Sequence, residues 1–476
     1  MIVPPAPKKK AAKRRQKAKP LTTAIQPVVR PHAAGIDVGA TAMYVAVPCD
    51  ADPCPVRTFG TFTEDLHALA DWLVGCQVRT VALESTGVYW IPLFQILEAR
   101  GLEVCLVNAR HVQNAPGRKT DVQDCQWLQY LHSVGLLRPS FRPPAHVCAV
   151  RTIYRQRDML VRHAAQAVQH MQKALTQMNI QLANVISDLT GQTGLAILDA
   201  ILGGERDGAK LAKLRHGRLK ADQATLAKSL VGDWKEEHLF CLEQARLTYS
   251  HLQLQIEACD DKLAALLRRW ESAPAAAAEN ASTAHPATAT ESATATTASG
   301  SAPAVGSRFD FRQELDRIFG VDLLGVPGLG TAVAGMVLSE VGPSVERFAT
   351  VKHFASWLGL CPDNRKTGGR TIKVATREVK SRLAYGLRLA ANALHREQSA
   401  LGDYFRRMKA KLGTPAAITA TAHKLARIIY HLLRYRCPYD QGVFAKEEAR
   451  QRARREQRLR AQATQLGFQL TPLHAA

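Results

Sequence analysis

Between Ala33 and about Ser140, short apolar runs alternate with helical patterns in an order that few folds satisfy. Residues 33–38, 41–47 and 57–62 are rich in apolar and β-branched side chains and read as three strands, the first two joined at Gly39. An amphipathic helix over 66–73 follows, then a strand at 80–83, a helix near 91–99 and a strand at 103–107. A last helix opens in Lys119-Thr120-Asp121-Val122-Gln123-Asp124 and continues through Cys125, Trp127, Leu128 and Leu131. Three closely connected strands followed by alternating helix and strand predict a mixed α/β sheet.

Two carboxylates sit oddly in this pattern. Asp37 lies inside the first apolar run and Glu84 ends the 80–83 run, although acidic residues are rarely found in buried strands. Asp121 and Asp124, three apart, share one face of the last helix. That pair alone also suits a solvated helix start, where acids complement the dipole. The order of elements matches the ribonuclease H-like fold, in which the first strand, the end of the fourth strand and the last helix converge on one sheet edge. There Asp37, Glu84, Asp121 and Asp124 would meet. Four hard oxygen donors favour Mg2+ or Mn2+, and metal-assisted cleavage of a phosphodiester is the chemistry such a set serves.

Charge points to the same partner. Lysine and arginine number 63 against 41 acidic residues, a net charge of +22 that favours a polyanion such as double-stranded DNA over a membrane surface. No apolar run reaches the roughly 20 residues needed to span a bilayer, and the ten cysteines lack zinc spacing. They read as reduced thiols of a cytoplasmic protein.

The remainder divides by composition. Residues 1–30 form a disordered basic arm, which would also serve as a nuclear import signal in a eukaryote, and 31–142 form the α/β domain. Residues 143–272 read as long helices, the first carrying Arg151, Arg155, Arg157 and Arg162 as a DNA-facing stripe or a solvated face. Leu242, Tyr249, Ile256, Leu263 and Trp270 recur every seven residues, with Ala245, Leu252, Cys259 and Leu266 between them. This predicts a coiled coil or an amphipathic helix packed on its own domain. Residues 273–307, almost wholly Ala, Thr, Ser and Pro, read as a disordered linker. A helical C-terminal domain (308–440) and a basic tail (441–476) follow, with helices expected over 331–341, 351–358, 377–395 and 416–434. In the first part of that domain, Val326-Pro327-Gly328-Leu329-Gly330 resembles a helix-hairpin-helix turn, with Gly328 and Gly330 letting backbone N–H groups approach a phosphate. An ordinary glycine-rich connection is the alternative. Farther on, Arg365, Lys366, Thr367, Gly368, Gly369, Arg370 and Lys373 form a basic loop.

Taken in order, Gly35-Ile36-Asp37-Val38-Gly39, Leu83-Glu84-Ser85-Thr86-Gly87-Val88-Tyr89-Trp90, the Lys119–Asp124 segment, Val326–Gly330, and Phe354–Pro362 leading into Lys366-Thr367-Gly368-Gly369 resemble the insertion-sequence transposases of the IS-one-ten type, the IS-eleven-eleven subgroup included. The resemblance spans about residues 33–435. It implies a RuvC-like DEDD domain, a coiled coil used to form a homo-oligomer (dimer or tetramer), and a C-terminal transposase domain, in a recombinase guided by a bridge RNA. It also implies that a serine before the paired glycines attacks the DNA backbone and holds it as an ester. Here that position is Thr367, whose β-methyl restricts its rotamer. Arg365, Lys366, Arg370 and Lys373 would draw in the phosphate. Hydrolysis by the acidic site alone, and a decayed transposase that only binds DNA, are the alternatives.

Overall fold

The computed structural model describes residues 27–108, 120–217, 219–270, 310–368, 370–373, 375–377 and 379–469. Most of the basic arm, Lys119 and the 273–307 linker lie outside the described residues. The chain divides into two compact units, Met1–Arg142 and Pro143–Ala476.

In the first unit a five-stranded sheet has the order β3-β2-β1-β4-β5. Its strands are β1 (Ala33–Val38), β2 (Met43–Ala46), β3 (Val56–Phe59), β4 (Thr80–Glu84) and β5 (Glu103–Val107). β1, β2 and β3 pair antiparallel, whereas β4 runs parallel to both β1 and β5. Period-2 alternation splits each strand between two faces. Ile36 and Val38 of β1 and Val81 and Leu83 of β4 enter one apolar cluster with Leu69 and Leu73 of α1 (Thr63–Gly75) and Leu93 and Leu97 of α2 (Trp90–Ala99). Each such side chain, fully buried, contributes about 1.5–3 kcal/mol. Ala82, Cys105 and Val107 face the other way and pack with Leu128 of α3 (Asp121–Ser133). Asp37 and Glu84 have the parity of this second face.

The second unit is mostly helical. α4 (Ala145–Gln177) and α9 (Glu236–Leu267) form a long antiparallel pair: Leu160 and Ala164 cluster with Leu252 and Ile256, and Arg157 meets Asp260. The seven-residue repeat therefore finds its partner within the same chain. Between them, α5 (Leu182–Val185), α6 (Gln192–Leu202), α7 (Gly208–Ala212) and α8 (Gln223–Ser229) close a core around Met171, Ile197, Leu226 and Leu242. Beyond the linker come α10 (Phe311–Phe319), α11 (Thr331–Glu340), α12 (Val351–Trp357), α13 (Arg382–Ala393), α14 (Ala400–Leu412), α15 (Thr414–Tyr435) and α16 (Ala445–Gln465).

Two details of the C-terminal region differ from the sequence expectation. The helix expected from Arg377 begins only at Arg382, because the Ser381 hydroxyl accepts from the Ala384 N–H and caps it there. The basic loop is a hairpin of β6 (Arg365–Thr367) and β7 (Arg370–Lys373). Its strands are too short and too charged to show an apolar alternation, and Thr367 pairs with Arg370 across the turn that Gly368 opens.

Candidate active site

α3 is laid across the sheet by contacts that fix its direction. Near its C-terminal end, the His132 ring is hydrogen-bonded at 2.9 Å to the hydroxyl of Thr80, the first residue of β4. One turn back, the Gln129 side-chain amide donates to the carbonyl of Ala33, the first residue of β1. At Gly35 helix and strand nearly touch: a Cβ there would overlap the Gln129 backbone N and the Cys125 carbonyl. With its C-terminal half over the starts of β1 and β4, the helix carries its first turn to their ends. That turn holds Asp121 and Asp124, and the Thr120 hydroxyl caps it by accepting from the Gln123 N–H. The last β1–β4 pair in register is Ile36 with Leu83, so Asp37 and Glu84 each follow by one residue.

The electrostatics agree with this placement. The Asp37 carboxyl is pushed up to about 6, first by burial and then by the negative charges of Glu84, Asp121 and Asp124, with the Val38 N–H partly opposing. Two distant parts of the sequence, the end of β4 and the first turn of α3, thus bring their charges to bear on one carboxylate. Cys125 lies in the same field. Burial, then the Asp37 charge, pushes its thiol up to about 12, and it donates to the Val122 carbonyl as a neutral thiol, not as a soft ligand. Among the described residues no three His, Cys, Asp or Glu side chains converge into a coordination shell. Glu84, Asp121 and Asp124 act electrostatically on Asp37, and an all-oxygen set of this kind has the donor chemistry of Mg2+ or Mn2+.

In the second unit, Thr367 is exposed at the end of β6 and pairs with Arg370 across the turn. Gly368 adopts a left-handed φ of 56° with open space around its Cβ position. Lys366 pairs with Thr371 and Arg365 with Lys373 in the backbone register. Of the two turn glycines, Gly330 is the exposed N-cap of α11, with nothing within 4 Å of its Cβ position. Gly328 has φ 84°, and a Cβ there would lie 3.0 Å from Leu394 and 3.2 Å from the Ala390 carbonyl. Helix packing thus requires a glycine at 328, whatever the turn binds.

Residues 34–180 match a transposase family model, the IS110 DEDD type, and residues 322–406 match a model described as the transposase IS116/IS110/IS902 family. Both matches are to transposase domains of the IS110 type, and neither covers half of the chain. A protein of Pseudomonas aeruginosa described as a probable family 20 transposase is 28% identical over 125 residues, covering 25% of this chain and 37% of that relative. The chain therefore spans little over a third of the curated relative it matches. The IS110 DEDD match contains all four acidic residues, and the second match contains Gly328, Gly330, Thr367 and Arg370.

Beside these IS110-type features, the arginines of α4 do not form a DNA-facing stripe. Arg151 donates to the Ser339 and Glu340 carbonyls at the end of α11, and Arg155 grips the nearly buried Glu340 carboxylate through two nitrogens at 2.9 and 2.7 Å. Arg157 forks onto Asp260, and Arg162 pairs with Asp158 one turn back. Arg151, Arg155 and Arg157 hold helices together, whereas the Arg162 pair lies within α4. The partner that sequence reading missed is Glu340, an acid ending an apolar helix where the dipole disfavours it, which is itself a sign of a nearby cation. Gly35 was read as part of a motif, whereas its physical role is the close approach that sets α3 over Asp37.

Proposed function

We propose that this chain is a DNA transposase and recombinase of an insertion sequence. It binds double-stranded DNA at element ends and target, is guided by a bridge RNA, and cuts and rejoins strands. The observation that carries the reading is that Asp37 is raised to about 6 by burial and by the charges of Glu84, Asp121 and Asp124, which supports a shared acidic edge. Two transposase-domain matches in family order, and a strand order that suits the ribonuclease H-like class, support it.

The four carboxylates would hold Mg2+ or Mn2+, which supplies positive charge to a phosphate that could not otherwise approach so negative an edge. The chain's own residues do the rest. Gly35 and the Thr120 cap fix the first turn of α3, so the carboxylates are preorganised before DNA arrives. The Thr367 hydroxyl is the nucleophile of the proposed reaction. Its oxygen forms a bond to phosphorus as a phosphorus–oxygen bond to deoxyribose breaks, and the sugar hydroxyl leaves with the proton. Arg365, Lys366, Arg370 and Lys373 supply the charge that attracts the backbone.

Asp37 provides a test. At neutral pH its ionised form lies above a raised pKa and costs stability, so Asp37→Asn should raise the melting temperature in EDTA and abolish any rise on adding Mg2+. Cleavage should fall at least about 1,000-fold while DNA binding persists. An Mg2+ shift unchanged in Asp37→Asn would remove the acidic site from the reading. The crowding methyl of Thr367 favours hydrolysis as the second reading, and a nicked substrate on a denaturing gel separates the two. A covalent adduct absent in Thr367→Ala and retained or raised in Thr367→Ser supports strand transfer through Thr367. No adduct in the wild type or in Thr367→Ser favours hydrolysis.

A further inference from the structure

The turn that follows Glu84 leaves two large apolar side chains in solvent. In Ser85-Thr86-Gly87-Val88-Tyr89, Val88 is 66% and Tyr89 48% exposed, while the next residue, Trp90, is drawn onto Phe94 with ring centroids 5.6 Å apart. Local contacts hold the turn in shape. Gly87 takes a left-handed φ of 55°, and the Trp90 indole N–H donates to its carbonyl at 3.2 Å. The Thr86 hydroxyl donates at 3.2 Å to the Glu84 carboxylate. A Cβ at Gly87 would lie 3.4 Å from the Tyr89 ring, so the ring lies close over the turn. Through these contacts the exposed ring is linked in position to a carboxylate of the acidic edge.

Burying an aromatic ring stabilises a fold, and α2 does bury Phe94 and half-bury Trp90. Leaving Tyr89 and Val88 outside forgoes that gain next to Glu84, one of the carboxylates whose charge acts on Asp37. If these carboxylates take a DNA phosphate by way of a divalent cation, the flat uncharged base of an adjoining nucleotide would lie beside them. Once unpaired, that base seeks an aromatic face. We propose that Tyr89 is a stacking platform for an unpaired nucleobase beside the phosphate that a divalent cation at Asp37, Glu84, Asp121 and Asp124 would hold, with Val88 flanking it. The assignment rests on the nuclease reading of that edge. Every base has a π face, so the contact selects a locally melted strand over intact duplex and is blind to sequence.

The test uses the full chain with Mg2+, a thymidine single strand carrying a central 2-aminopurine, and a blunt duplex. Wild type and Tyr89→Phe should bind the single strand and quench the 2-aminopurine. Tyr89→Ala and Tyr89→Leu should lose on the order of tenfold in single-strand affinity, lose the quench, and keep the duplex affinity and the melting temperature of the wild type. Wild-type affinity and quench in Tyr89→Leu would make the contact merely apolar and overturn the proposal. A change of solution mass in Tyr89→Ala with unchanged single-strand affinity would assign the face to a protein partner and overturn it too. The Asp37→Asn thermal shift separates the two failures. If Mg2+ acts through Asp37 but the Tyr89 variants behave as wild type, stacking alone falls. If Mg2+ does not act through Asp37, the nuclease reading falls and stacking beside it falls as well.

Discussion

The acidic edge of the first unit and the arginines of α4 in the second handle charge in opposite ways. Asp37 is surrounded by three like charges, so its ionised form is held at a cost. Arg151, Arg155 and Arg157 meet carbonyls or carboxylates in two-pronged hydrogen bonds. Paired charge fastens helices, whereas like charge gathered by a fold destabilises it until a cation or phosphate complex relieves the repulsion. Density of charge along a sequence does not separate these cases. What each charge meets does.

The sharpest test of the contrast moves the acidic edge without touching an acid. Gly35→Ala pushes a methyl into the α3 backbone and shifts Asp121 and Asp124 relative to Asp37 and Glu84. Strand cleavage should drop by roughly 100-fold or more, as expected for misplacement of about 1 Å, and near-wild-type rates in a gel assay would show that the close approach is not what places the acids. Next in size is a pH effect at the far end of the same helix. Burial, then the Arg30 charge, holds His132 down to about 4, far below its ordinary value. The folded state thus binds no proton there between about pH 6.5 and 4, whereas the unfolded state does. Stability should be complete above pH 6.5 and fall by up to about 3 kcal/mol toward pH 4. Urea melts across that range check it, and His132→Gln should flatten this component.

A smaller effect is expected from the paired charges. Glu340→Ala removes the carboxylate between Arg151 and Arg155 and should cost about 2 kcal/mol, below the usual value for a broken buried pair because Arg155 is 42% exposed in its side chain. An unchanged urea midpoint would mean that the two helix-end carbonyls suffice. The smallest effect is expected from deleting residues 276–304, which lack large apolar side chains. Stability should stay within about 0.5 kcal/mol of wild type, and insoluble protein or a collapsed melting profile would contradict that.

Much of the first unit is legible in its sequence because burial there writes a period-2 pattern. Ala33–Val38 and Glu103–Val107 fall where apolar runs place them. Asp37 and Glu84 were visible as acids interrupting or ending such runs, and Asp121 and Asp124 as a pair on one helix face. Illegible were features that depend on distant partners. Nothing near Arg155 announces Glu340, 185 positions away. The 365–373 hairpin pairs residues whose charged side chains mask its alternation. The seven-residue repeat of α9 showed an apolar seam but not that α4, in the same chain, fills it. Val88 and Tyr89 read as ordinary members of a motif until their exposure was known.

Arg317 has one more consequence. Its guanidinium donates to the carbonyls of Leu267 and Trp270 at 2.7 and 2.8 Å, so the end of α9 and α10 are fastened side by side. α4 and α11 are joined again by Tyr154, whose hydroxyl donates to the Ala332 carbonyl. Where noncovalent bonds already clasp both flanks, the peptide connection between them adds little. The polypeptide is open to being made as two separately expressed fragments, divided there, that find each other.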